Sequence, residues 1–205
     1  MEAGNQPVLR YGVEPMQAAD VDEVLAIERA TFRFPWSGTA FLSDLRLPYA
    51  VWRVARPATA PTSPGVAAGR PRWGVAFRRP ARRAVRPVVG YAGLQVILDE
   101  GHITNVAVHP DHRRQGIGEL LLLDLFEQAF PRGVLRLTLE VRASNLVARA
   151  LYQKYGFEVE GRRLRYYGDG EDALIMWGGR LDAPELQSRL VELRARLQER
   201  LCAGC

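Results

Sequence analysis

Cysteine is nearly missing from this 205-residue chain: Cys202 and Cys205 are the two present, both at the extreme C-terminus. No disulfide can therefore staple a core, and no thiol lies near the middle of the chain to act as a nucleophile or zinc ligand. The tail C-A-G-C has the spacing of a redox pair or half a metal site, and equally that of two thiols on a frayed end. Lysine is reduced to Lys154, a bias of composition rather than of chemistry. No apolar run approaches the roughly 20 residues that span a bilayer. The start M-E-A-G-N-Q-P-V-L-R has neither the basic nor the apolar stretch of a signal peptide. These absences, with 47% hydrophobic and 25% charged residues, lead to the expectation of a cytoplasmic globular protein.

Acidic residues are missing from one long stretch. Between Arg56 and Pro87 there are eight arginines, six prolines and no carboxylate. The net charge of +5 is therefore local, and subtracting those arginines leaves −3 for the rest. The stretch has no regular periodicity and reads as a long, mostly disordered insertion. Trp73 and Phe77 interleave with its arginines, which leaves open contact with RNA or a ribosome through Arg70–Arg86.

What is present elsewhere is an alternation of strands and helices. Val8–Val13 reads as a first strand. Asp20 is the expected cap of a helix to about Thr31, and Ser37 of one from Gly38 to about Leu45. Strands follow at Ala50–Ala55, Val88–Leu98 and His102–Val108, the last two joined by a D-E-G turn. An apolar helix spans Gly116–Phe130, then a strand at Leu135–Val141, a helix at Asn145–Tyr155, and strands at Glu158–Tyr166 and Asp172–Trp177. A leucine-spaced helix from about Pro184 to Leu201 ends the chain, free by its pattern to dock on the domain or pair with itself. The pattern predicts a mixed α/β sheet that is not a dinucleotide-binding domain.

Two constellations carry chemistry. Arg113-Arg114-Gln115-Gly116-Ile117-Gly118 follows a strand and opens a helix, which aims free backbone N–H groups at an anion. No G-K-[ST] follows it, and the third glycine of a dinucleotide fingerprint is missing, so a phosphate tail without metal fits best. Downstream, Glu140 ends a strand, and Tyr152 lies two turns into a helix capped by Ser144 or Asn145. A carboxylate and a phenol there could take and give protons. Spacing alone equally allows Glu140 to be paired with Arg142 or Arg136, and Tyr152 to be a core aromatic beside Leu151 and Tyr155. The irregular spacing of His102, His109 and His112 reads as loop histidines rather than metal ligands.

These residues resemble a known family. R-R-Q-G-I-G is similar to the R/Q-x-x-G-x-G/A acetyl-CoA signature of the GNAT N-acetyltransferases. The string L-E-V-R-A-S-N-x-x-A-x-x-L-Y-x-x-x-G-F, with R-Y-Y-(x)4-D-A-L-I-M behind it and F-P-W-S at Phe34–Ser37 ahead, resembles their bacterial RimI-type branch. The likeness covers roughly Val8–Trp177, and the insertion and the terminal helix depart from it.

The resemblance implies an α/β GNAT fold: a central mixed, mostly antiparallel twisted sheet flanked by helices and splayed between its fourth and fifth strands. It implies a domain at 1–180 carrying the insertion at about 56–87, with 181–205 forming a terminal amphipathic helix and tail. It implies acetyl-CoA as donor, without metal, and direct transfer to a protein N-terminal amine, with alanine of a small-subunit ribosomal protein as the model acceptor. A small-molecule amine acetyltransferase of the same fold is the alternative. Under this reading Val106, Ala107 and Val108 bind the pantetheine arm. Arg113, Arg114, Gln115, Gly116, Ile117, Gly118 and Glu119 hold the pyrophosphate, and Asn145 touches the cofactor. Glu140 is the proton acceptor and Tyr152 the donor to the departing thiolate, while Phe34, Trp36, Tyr166 and Tyr167 shape the peptide slot.

Overall fold

The computed structural model describes residues 9–58 and 86–202. Seven strands, β1 (Tyr11–Pro15), β2 (Ala50–Pro57), β3 (Gly90–Ile97), β4 (Glu100–Val108), β5 (Arg136–Arg142), β6 (Phe157–Arg163) and β7 (Ala173–Gly178), form one sheet in the order β1-β2-β3-β4-β5-β7-β6. Every neighbouring pair is antiparallel except β4–β5, which is parallel and joined through α3 (Ile117–Ala129). This is the mostly antiparallel open sheet that the resemblance implies.

Helices cover both faces. Alternation along β2 and β3 sends Ala55, Ala92 and Leu94 into one apolar cluster, and Trp52, Val54 and Tyr91 into another. The first cluster lies under α3, α4 (Leu146–Lys154) and α5 (Pro184–Leu201), the second under α1 (Val21–Thr31) and α2 (Gly38–Asp44). Ser37 caps α2, its hydroxyl accepting from the Ala40 N–H at 3.1 Å. Among the described residues no helix is long and apolar enough to cross a membrane.

Several expectations shift. The first strand is β1 at Tyr11–Pro15, later than Val8–Val13, and Val8 lies outside the described residues. Asp20 does not cap α1 with its side chain. A 3-10 turn at Ala18–Asp20 runs straight into the helix, and the carboxylate accepts from the Gln17 N–H at 2.9 Å and meets Arg56 at 2.5 Å. The hairpin turn before β4 is Leu98-Asp99, not D-E-G, with Leu98 in the left-handed region (φ 57°). Gly101 is instead a packing position inside β4, where a Cβ would lie 2.6 Å from Leu137.

The ends of the arginine-rich stretch are also corrected. Arg56 closes β2, is buried, and pairs with Glu14 (2.6 Å) and Asp20, while Arg86 pairs with Glu14 at 2.9 Å and its carbonyl accepts from Arg56. Two of the eight arginines are thus fixed in ion pairs on the domain. The insertion's expected disorder, its RNA contact, Trp73 and Phe77 lie outside the described residues, as does Cys205.

The helix α5 docks on the domain. Leu186, Leu193, Leu197 and Leu201 are buried in the first cluster, Arg194 pairs with Glu127 of α3, and the Arg10 N–H donates to the Leu201 carbonyl at 2.8 Å. An isolated backbone bridge joins Leu9 to Cys202. If docking is what buries these leucines, Leu197→Ala lowers the unfolding free energy by about 3 kcal/mol. Val191→Ala, on the outer face at 69% exposure, changes it by under about 0.5 kcal/mol. Urea denaturation of both variants checks this, and an equal loss at Val191 contradicts the docking.

Candidate active site

The site begins where two strands part. The parallel register of β4 and β5 runs from Glu100↔Arg136 to Ile103↔Leu139 and stops. Thr104 is the next residue of β4, and it is skipped in the pairing with β3, where Leu94↔Ile103 is followed by Gly93↔Asn105. This bulge bends β4 away from β5. Val106, Ala107 and Val108 pair with β3 alone, so the backbone groups on their other edge line a cleft. Glu140 is the first residue of β5 beyond the last pairing.

The Glu140 carboxylate is only 10% exposed, and His102 and Arg163 hold it. His102 Nε2 lies 2.6 Å from Oε2, and Arg163 Nη2 lies 3.1 Å from Oε1. Hydrogen bonding to His102 outweighs burial and, with the charge of Arg163, draws the Glu140 carboxyl below the usual carboxylate range. An ionised carboxylate only accepts, so Nε2 of His102 carries the hydrogen that it donates to Glu140. The pairings with Arg142 or Arg136 that spacing left open are not formed. Arg142 reaches Asp169 (3.0 Å) and Glu171 (2.8 Å), and Arg136 reaches Glu160 at 2.5 Å. His102 sits on a strand, while His109 and His112 pack edge to face beside the turn at 5.9 Å.

Asn145, not Ser144, caps α4, its Oδ1 accepting from the Ala148 N–H at 3.1 Å. One and two turns in, the helix carries Arg149 and Tyr152. Tyr152 is buried with its ring against Phe157 at 5.8 Å, and its hydroxyl makes no hydrogen bond to another described residue. Burial, then the neighbouring Tyr167, pushes its phenol well above the ordinary value. Tyr167 is pushed up to about 12, first by burial and with smaller contributions from Tyr166 and Glu140, against the pull of Arg142. Tyr167 thus feels the charge of Glu140 and in turn acts on Tyr152.

The glycine turn closes one end of the cleft. Arg114 (φ 60°) and Gly116 (φ 80°) are both left-handed, and Gly116 is the N-cap of α3 without a side-chain cap. Alternating backbone hand turns successive N–H groups toward one concavity, and the uncapped first turn of α3 adds its own. Gly116 also meets α5, since a Cβ there would lie 2.9 Å from Leu197 and 3.3 Å from Leu201. Tyr11 fixes the turn from β1, donating to Gln115 at 2.5 Å. Arg113 folds back onto the Val108 carbonyl (3.2 Å) and Thr31 (3.3 Å), which ties the turn to α1. Glu119 is opposed by burial, yet its carboxyl is drawn down by Lys154, Arg200 and Tyr155.

Three of the four slot residues share a border. Phe34 is 54% exposed and lies against Gly168, where a Cβ would meet its ring at 3.2 Å. Tyr166 and Tyr167, 5.2 Å apart edge to face, belong to that same loop, under the guanidinium groups of Arg163 and Arg142. Trp36 differs: it packs inward on Phe41 (5.5 Å) and Trp52 (5.8 Å).

Sequence reasoning passed over Glu28. Burial raises its pKa, and it accepts from the Trp36 N–H at 2.8 Å, from the Tyr91 hydroxyl and from Asn105 at 3.3 Å. It thereby joins α1, the F-P-W-S segment and strands β3 and β4. The signal was a carboxylate at the core-facing spacing of Val21, Val24 and Glu28. The cleft edge also holds buried atoms without a partner among the described residues, Thr104 Oγ1 and Asn105 Oδ1.

Comparison with known proteins agrees with this geometry. Residues 62–157 match the model of the Acetyltransferase (GNAT) family. The chain is 35% identical over 170 residues to a putative [ribosomal protein bS18]-alanine N-acetyltransferase of Bacillus subtilis, covering 82% of this chain and 95% of the relative. It is 35% identical over 167 residues to the [ribosomal protein bS18]-alanine N-acetyltransferase of Escherichia coli, covering 80% and 94%. The crystal structure of the ribosomal-protein-S18-alanine N-acetyltransferase of Escherichia coli superposes with a TM-score of 0.64 at 32% identity, covering 84% of this chain and 95% of that one. With the splayed sheet, the glycine turn and relatives matched over nearly their whole length, the chain belongs to the GNAT family and is an N-acetyltransferase.

Proposed function

We propose that this enzyme moves the acetyl group of acetyl-CoA to the N-terminal α-amine of a protein, with an N-terminal alanine of ribosomal protein bS18 as its acceptor. The observation that carries the reading is Glu140, a carboxylate fixed by His102 and Arg163 at the point where β4 and β5 part. The relatives named for that acceptor, matched over most of this chain, support the choice of amine. The donor supplies an activated acetyl thioester.

The residues of the cleft fit such a donor. The left-handed turn at Arg114 and Gly116 and the uncapped start of α3 suit a pyrophosphate, with Gln115, Ile117, Gly118 and Glu119 supplying main-chain N–H groups. Arg113 holds the turn rather than the phosphate, and Glu119 contributes through its backbone because its carboxylate is paired. The free edge of Val106–Val108 offers hydrogen bonds to an amide-bearing arm and N–H donors to the acetyl oxygen as it gains charge. Asn145, the cap of α4, is the proposed contact of that helix with the same arm.

An α-amine has a pKa near about 8 and is mostly protonated at neutral pH, so a proton must leave before attack. Glu140 stays ionised throughout that range and accepts it, directly or through a water. Tyr152 keeps its proton at neutral pH and gives it to the departing sulfur. Phe34, Tyr166 and Tyr167 border the peptide's path, while Trp36 supports that border from within. The relatives' acceptor and the paired surface charges accord with a cytoplasmic site of action.

Acetyl transfer to short peptides that differ at the first residue is the direct test. A free N-terminal alanine peptide from bS18 is expected to be preferred, with kcat lowered about 10²–10⁴-fold in Glu140→Gln. Activity on polyamines with none on any peptide overturns the reading. Replacing His102 by Ala removes the largest influence lowering the Glu140 pKa and leaves burial to raise it. The acid limb of the kcat–pH profile then moves to higher pH, and an unmoved limb separates His102 from the proton path. Tyr152→Phe keeps the ring packing and loses a hydroxyl without a partner among the described residues. The thermal midpoint should hold while kcat falls about 10²-fold or more, and unchanged kcat removes Tyr152 from proton donation.

A further inference from the structure

The first and last described segments of the chain meet beside the glycine turn. The Leu9–Cys202 bridge and the bond from the Arg10 N–H to the Leu201 carbonyl hold them together. Between them and the turn lies a cavity of about 220 Å³ lined by Arg10, Tyr11, Arg114, Gln115, Gly116, Arg200 and Leu201. Its lining includes three arginines from three distant parts of the chain and no carboxylate.

Two of the arginines have no partner among the described residues and the third is already oriented. Among the described residues, the side chains of Arg10 and Arg114 have no hydrogen-bond or ion-pair partner. Arg114 is held at φ 60°, a conformation that costs a non-glycine residue energy and persists where the surroundings enforce it. Arg200 is oriented by Glu119 at 2.6 Å, and Glu119 is itself steadied by the Tyr155 hydroxyl at 3.0 Å. Gln115, also in the lining, is uncharged and accepts from the Tyr11 hydroxyl at 2.5 Å.

We propose that Arg10, Arg114 and Arg200 form a phosphomonoester subsite, built by the C-terminal helix, that takes the 3′-phosphate of coenzyme A. A pyrophosphate carries one charge per internal phosphorus and is matched by the N–H groups of the turn. A monoester carries nearly two charges at neutral pH, and converging guanidinium groups suit that higher density. The terminal helix, a departure from the family pattern, thus serves cofactor choice as well as packing.

This inference rests on coenzyme A as the cofactor, not on the acceptor, so cofactor binding tests it separately from acetyl transfer. Titration calorimetry compares coenzyme A with 3′-dephospho-coenzyme A on the full chain, for the wild type and for Arg200→Gln and Arg10→Gln. The wild type should bind coenzyme A about tenfold or more tightly, the worth of charge-assisted hydrogen bonds at a partly exposed site. Each substitution should shrink that ratio several-fold while leaving affinity for the dephospho form unchanged. Arg10→Gln removes no side-chain contact between described residues, so it reads the subsite without disturbing the Glu119 pairing. Equal wild-type affinities for the two ligands overturn the proposal, with peptide acetylation untouched. Loss of affinity for both ligands alike also overturns it and moves the arginines to the pyrophosphate.

Discussion

A parallel pair of strands that stops exchanging hydrogen bonds partway along leaves two rows of backbone donors and acceptors to be satisfied by something other than the sheet. Here the pairing of β4 with β5 ends at Ile103 and Leu139, and the bulge at Thr104 bends β4 out of reach. The residues proposed for the site are read around that opening. Glu140 stands at its apex, and the free edge of Val106–Val108 forms one wall. The glycine turn closes the mouth because β4 leads directly into it.

Keeping the opening open requires both strands to be anchored from behind, and ion pairs contribute much of that anchoring. Arg53 grips Asp124 of α3 with two hydrogen bonds, at 2.7 and 2.9 Å, and ties β2 to the helix that begins at the turn. Arg56 joins β2 to Glu14 of β1 and to Asp20 before α1. On the far side, Arg142 and Glu171 connect β5 to the loop that carries Tyr166 and Tyr167. Buried pairs of this kind add little net stability relative to an apolar contact. They do fix register, because a strand shifted by one residue would bury each charge alone. A chain with a single lysine suits that task, since the rigid guanidinium fork binds a carboxylate in one orientation.

The sequence made local features legible. The glycine turn, the Ser37 and Asn145 caps and the terminal leucine spacing each follow rules confined to a few neighbouring residues, and each is found where expected. Features that depend on pairing across the sheet were not legible. His102 reads as a loop histidine until β4 is laid beside β5 and it faces Glu140, 38 residues away. Arg56 reads as the start of a basic insertion until β1 supplies Glu14, and Asp20 reads as a cap until Arg56 arrives. The D-E-G segment looks like a turn because glycine usually marks one. Here Gly101 answers a steric demand from Leu137, and the turn falls on a leucine that only the two strands' register forces into the left-handed region. Glu28 was visible as a polar residue on an apolar face, but its three donors come from three different elements.

In the proposed mechanism the lowered Glu140 pKa sets a constraint of its own. An amine near pKa 8 and a carboxyl below its usual 4.5 differ by more than about 3.5 units, so resting the proton on Glu140 costs about 5 kcal/mol or more. Losing the proton to solvent at neutral pH costs only about 1 kcal/mol by the same scale. A carboxylate so strongly paired is therefore a poor final store for the proton and a good fixed acceptor for the water that carries it away. The second ring nitrogen of His102 extends that route by one group, toward the more exposed side of the pair. On this account His102 and Arg163 do more than hold Glu140 in place. By lowering its basicity they keep it charged and free to accept each incoming ammonium group, so that the neutral amine, once formed, faces the thioester without competition from a protonated carboxyl.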